Sequence, residues 1–129
     1  GGMTRDTPVL AAEGHMRALA RRTTLIRHWM AFMQRYPLVL TPVCAEPPFP
    51  WGLDVDSLES MDRVLRAQGA QFMVPLLGLP AISAPAGFAQ GLPIGVQIIG
   101  ARFREDLVMD AAEVLEARCP ATTPIDPTY

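Results

Sequence analysis

The side chains able to do covalent or proton-transfer chemistry are few. The serines are Ser57, Ser60 and Ser83, the thiols Cys44 and Cys119, and the imidazoles His15 and His28. A serine hydroxyl is a weak nucleophile until a neighbouring base takes its proton. The basic side chains do not offer that base: there is no lysine, and all 11 are arginine. Arginine stays protonated at any working pH and cannot accept the proton. Ser57 and Ser60 lie where a helix should begin, so capping is their expected task. Ser83 sits in a strand-like run and is expected to fill space. Asp54 and Asp56 precede the same helix start and should support it.

Metal and thiol chemistry are equally thin. His15 and His28 are too far apart on one helix to share a turn, so no metal site is expected. Cys44 follows a strand in a turn. It could act as a nucleophile with a histidine brought in through space, although nothing local activates it. The two cysteines are expected to be free thiols in a cytoplasmic protein. No cofactor is called for.

The elements that would position these groups can be read from periodicity. Thr7-Pro8 is a helix-start signal. Apolar residues Leu19, Ile26, Trp29, Met30 and Met33 then follow near helical spacing to Arg35 or Tyr36, with a possible break at Gly14. Unbroken, that helix would be about 40 Å long, so part of it should lie outside the core or pack on a partner. The Trp29, Met30, Phe32 and Met33 cluster is expected to be core or interface. Leu38–Val43 reads as a strand ending at Pro42, and 45–53 as a proline-rich loop. Asp56 and Glu59 have capping-box spacing for a helix that Gly69 should close. Residues 75–80 (PLLGLP) should be a loop. Residues 81–86 and 94–99 should form a hairpin across a turn spanning 87–93. Arg104 to Arg118 is the clearest helix: Leu107, Ala111 and Leu115 form one row, Val108 and Ala112 the next. The predicted fold class is α/β, a small mixed or antiparallel sheet of about three strands flanked by three helices. Gly1 and Gly2 read as a cloning remnant, 3–129 as a single domain, and 121–129 as an extended tail.

Composition narrows the partners. The 129 residues carry a net charge of −2 and are 50% hydrophobic and 19% charged, which argues against disorder. No basic face is evident and aromatics are sparse, so nucleic acid is not an expected partner. No apolar run is long enough to span a membrane, and no membrane association is expected.

Two linked blocks carry a resemblance. The first is Gly78-Leu79-Pro80-Ala81-Ile82-Ser83-Ala84-Pro85-Ala86-Gly87; the second is Gly91-Leu92-Pro93-Ile94-Gly95-Val96-Gln97-Ile98-Ile99-Gly100. They follow a strand ending in Leu40-Thr41-Pro42 and precede an acidic helix start. This order strongly resembles the C-terminal part of amidase-signature enzymes. Many members carry asparagine where this chain has Pro75, so any contact made by that side chain is not inherited. The resemblance implies a serine nucleophile, a second serine in a cis peptide and a lysine base. These belong to a glycine-serine-rich stretch that these residues do not include. It also implies that the loop after the Leu-Thr-Pro strand and the segment before Gly78 help wall a substrate pocket. Thr41, Cys44 and Leu77 are the positions nominated there.

The expectation is therefore an amidase C-terminal segment, inactive alone, whose partner is a missing N-terminal amidase portion. A small amide is its substrate only in a complete enzyme. Two alternatives stand beside it. One is a non-catalytic scaffold that forms a homo-oligomer through the exposed edges of 38–43 and 94–99. The other is a small thiol hydrolase using Cys44.

Overall fold

The computed structural model describes residues 11–119. Its elements are α1 (Ala12–Arg35), β1 (Leu38–Pro42), α2 (Leu53–Asp56), α3 (Leu58–Ala67), α4 (Gly69–Leu77), β2 (Ala81–Ala89), β3 (Leu92–Gly100) and α5 (Glu105–Arg118). The expected α/β class with a three-stranded antiparallel sheet is present. Five helices surround it among the described residues, where three are expected from sequence. The expected helix start at Thr7, the remnant at Gly1 and Gly2, and the tail at 121–129 lie outside the described residues.

The strand order is β1-β3-β2, both pairs antiparallel. β3 is therefore the central strand, so the expectation that 94–99 offers a free edge is wrong. Its N–H and C=O groups are taken on both sides: Ile98 faces Leu40 on β1 and Ile82 on β2. Among the described residues, the outer strands of the sheet are β1 and β2. The hairpin turn is also tighter than expected. Ala89 pairs with Leu92, leaving Gln90 and Gly91 as the loop, both at positive φ (53° and 77°). A two-residue loop with both φ values positive is the I′ geometry that matches strand twist. A register shift between Pro85 and Gly87 adds a bulge to the edge strand β2.

Successive residues of β3 face opposite sides of the sheet, and both sides are covered near its end. Ile99 is fully buried in a cluster with Met33 of α1, Val74 and Leu77 of α4, and Leu79. Gly100 faces the other way, against Val108 of α5. Alternation puts the buried Ile98 on that same α5 side. Each such aliphatic side chain contributes roughly 1.5–3 kcal/mol by leaving water. Val108 and Ala112 are the buried positions of α5, so the second of its two predicted rows faces the sheet.

α1 runs unbroken through Gly14 to Arg35. At 1.5 Å per residue its 24 residues extend about 36 Å. Its first half is largely exposed, while Met33 is buried and Trp29 packs against the core cluster. Phe32 stays 46% exposed and meets Trp29 edge-on.

The segment 53–80 departs most from expectation. The helix cap sits one residue later than predicted. Ser57 Oγ accepts from the Ser60 N–H (3.1 Å), and Ser60 Oγ accepts from the Ser57 N–H (2.9 Å). This is a reciprocal capping box built on two hydroxyls, not on Asp56 and Glu59. Gly69 does not close α3; Gln68 does, and Gly69 opens α4. Residues 75–77, expected in a loop, are the last turn of α4. Pro75 lies inside that helix and withdraws a donor from the Gln71 carbonyl. The helix then closes with Gly78 N–H to Pro75 O and Leu79 N–H to Val74 O, with Gly78 at φ 63°. That is the Schellman pattern, and its usual apolar contact is the buried pair Leu79 and Val74.

Candidate functional site

The loop that leaves β1 builds the site. It is held from both sides by backbone bonds. The Val43 N–H donates to Gly95 O of β3, and the Ala45 N–H donates to Ala67 O at the end of α3. From α4, Gln71 Nε2 donates to Val43 O at 2.9 Å. Beside these anchors lies an open cleft of about 310 Å³, lined by Cys44, Glu46, Phe49, Gln68, Gln71 and Ile94 among others. Gly95 lines it in a tight position. A Cβ there would stand 3.2 Å from Ala84 O and 3.3 Å from Val43 Cγ2.

The cleft holds one carboxylate, and that group is committed. Arg63 grips Glu46 through Nε (3.0 Å) and NH2 (2.6 Å) to Oε2. These bonds hold the Glu46 carboxyl below its ordinary value, against the opposing pull of partial desolvation. Glu46 is thus anchored as an anion and does not serve as a neutral-pH proton acceptor. The amides of Gln68 and Gln71 can donate and accept hydrogen bonds without carrying charge.

The nominated residues separate. Thr41 and Cys44 come together along a second depression of about 480 Å³ beside the first, floored by Ile94, Gly95 and Val96. Cys44 lines both depressions. Thr41 Oγ1 donates to Gln97 Oε1 at 3.3 Å, and register places Ser83 on the opposite flank of Gln97. Leu77 does not reach the cleft. It is 1% exposed and fills the cluster under the sheet, so it supports the wall from behind.

The remaining chemical groups stay apart. Ser57 and Ser60 bond each other at the cap. Ser83 is exposed on edge strand β2 rather than filling space, a correction that follows from β2 lying at the edge. His15 and His28 lie on α1, and neither lines the depressions containing Cys44. Among the described residues no group of three or more histidine, cysteine or acidic side chains could hold a metal. Cys44 and Cys119 are both free, as expected. Sequence reasoning misses Gln68, Gln71 and Glu46. The two glutamines, one capping the junction of α3 and α4 and the other in the first turn of α4, become a pair only because α4 begins at Gly69.

The arrangement is an open, proline-rimmed cleft with two hydrogen-bonding amides, a free thiol and one carboxylate held by Arg63. The family model described as Amidase matches residues 6–109, and the chain belongs to the amidase family. An indoleacetamide hydrolase of Bradyrhizobium japonicum is 39% identical over 123 residues, covering 92% of this chain and 26% of that protein. A glutamyl-tRNA(Gln) amidotransferase subunit of Lactococcus lactis subsp. lactis is 40% identical over 96 residues, covering 74% of this chain and 19% of that protein. Among solved structures, the corresponding glutamyl-tRNA(Gln) amidotransferase subunit of Thermotoga maritima superposes with a TM-score of 0.68 at 31% identity. The match covers 82% of this chain and 23% of that one. The chain thus spans about a quarter or less of the length of these relatives, in keeping with its resemblance to their C-terminal segment. Among the described residues no helix is long and apolar enough to cross a membrane.

Proposed function

We propose that this chain forms one wall of the substrate pocket of a cytoplasmic amide hydrolase and does not cleave amides by itself. The observation that carries the reading is the pairing of an amidase-family cleft with side chains that cannot activate a nucleophile. The chain has no lysine. Its cleft carboxylate is tied to Arg63, and Ser57 and Ser60 are spent on a helix cap. The serine nucleophile and its base would come from the remaining amidase portion, joined to this segment or supplied as a separate chain. That portion would dock along the outer edge of β1, where Leu40 is 62% exposed beside Thr41. Thr41 and Cys44 would then contact the acyl group, with Gln68 and Gln71 holding its polar atoms. A cleft without a free cation suits an uncharged acyl group, as in the amide named for the Bradyrhizobium relative.

Complementation tests this. An indoleacetamide hydrolase deleted for the matched segment is combined with the present chain. Hydrolysis of indoleacetamide is expected in the mixture and in neither part alone. A mixture in which the two parts bind but remain inactive would defeat the proposal.

A further inference from the structure

The C-terminal end of α4, opposite the end that carries Gln68 and Gln71, gathers two arginines. A Cβ built on Gly78 would lie 3.8 Å from Arg22 NH2 and 4.0 Å from Arg102 NH2, so both guanidinium groups flank one point. Gly78 itself is exposed and offers no side chain to fill that point. Arg22 uses its Nε to donate to Leu76 O, which leaves its NH2 side available. Arg102 lies 5.3 Å from the Phe103 ring centroid, and its Nε is buried with no hydrogen-bond partner.

The charges do not balance. A helix C-terminus carries about half a negative charge, against two full positive ones here. Among the described residues, the ion pairs are made by Arg17, Arg63, Arg66 and Arg104, and neither Arg22 nor Arg102 takes part. We propose that Arg22 and Arg102 form a binding site for a phosphate-class dianion over Gly78. Such a group carries about −1.5 to −2 near neutral pH, which matches the surplus, and presents three acceptor oxygens to the two NH2 donors. A single carboxylate would leave part of the surplus unmatched. The site is separate from the amidase cleft and independent of the reading given for it.

The test is a titration of the purified chain with inorganic phosphate at constant ionic strength, followed by melting temperature, with acetate and chloride in parallel. Phosphate is expected to raise the melting temperature saturably while acetate and chloride do not. R102Q is expected to weaken phosphate about tenfold or more, as loss of a charge-assisted bond requires. The Arg102 Nε has no hydrogen bond to lose, so R102Q keeps the test valid even if R22Q unfolds through loss of the Leu76 contact. R17Q, on the exposed pair with Glu13, should bind phosphate as the parent does. No phosphate-specific rise, an equal response to acetate, or unchanged phosphate affinity in R102Q would each overturn the proposal.

Discussion

Gly100→Ala is expected to destabilise the chain through one identifiable collision. Gly100 is buried at the end of central strand β3, facing the first turns of α5. The added Cβ would lie 2.5 Å from Val108 Cγ2, 3.2 Å from Arg104 O and 3.5 Å from Pro80 Cγ. The nearest atom belongs to a β-branched side chain on a helix, which is held to one χ1 well and cannot swing aside. The next is backbone. Relief therefore requires α5 to shift as a body, and overpacking of this kind costs about 1–3 kcal/mol. At roughly 4 °C per kcal/mol for a domain of this size, the melting temperature should fall by about 4–12 °C. Val108→Ala alone loses two buried methyl groups, worth about 1.6 kcal/mol at ~0.8 kcal/mol each. In the double variant G100A/V108A the worst contact is gone, so its destabilisation should be smaller than the sum by at least about 1 kcal/mol. Chemical denaturation of the four proteins measures that cycle. Strict additivity, or a G100A melt unchanged from the parent, would refute the packing of α5 against β3 described here.

Three further outcomes follow from the same structure. Leu77→Ala should cost about 2–5 kcal/mol in a denaturant melt, because the side chain is 1% exposed and sits between α1, α4 and the sheet. Gln90→Asn should stabilise by about 0.5 kcal/mol in the same melt, since Gln90 holds φ 53° in an Asn-Gly type of hairpin turn where asparagine tolerates that conformation better. Glu46 has a folded-state pKa below its ordinary 4.5, chiefly through its bonds to Arg63. Its contribution to stability is therefore complete above that value and lost as pH falls through the lowered one. Denaturation followed from about pH 6 to about pH 3 should lose less stability in E46Q than in the parent, and an identical acid slope would discount the pair.

What is legible in the sequence, and what is hidden, follows the reach of local signals. Leu38–Pro42, the hairpin strands and α5 are legible because their apolar periods match their elements and their ends carry proline, glycine or charge. The segment 53–80 misleads because its punctuation serves a different grammar. Pro75 has the look of a breaker, yet it lies within α4. Gly78-Leu79-Pro80 has the composition of a loop, yet it is a helix stop of the Schellman kind followed by proline. The cap at Ser57 is displaced by one residue in a sequence reading because the neighbouring acids satisfy the same spacing as the serines. Strand order is not legible at all. Nothing local tells β3 that it must accept β1 on one side and β2 on the other, and with β3 central the expected free edge at 94–99 vanishes.

The site is half legible for the same reason. The family resemblance points to Thr41 and Cys44, and the structure sets both beside one depression. Leu77 is pointed to with them because its segment resembles a loop at the pocket rim. As the last residue of a helix it turns inward instead. Gln71 cannot be found from sequence because its role is a bond to Val43 O across 28 residues.

The most direct test is ammonia release from a simple primary carboxamide by the purified chain alone, run beside Cys44→Ala. We predict no release above the buffer rate for either protein. Release that tracks the chain through purification, above all if Cys44→Ala abolishes it, would show that these residues contain a working nucleophile and base, and would contradict the central claim.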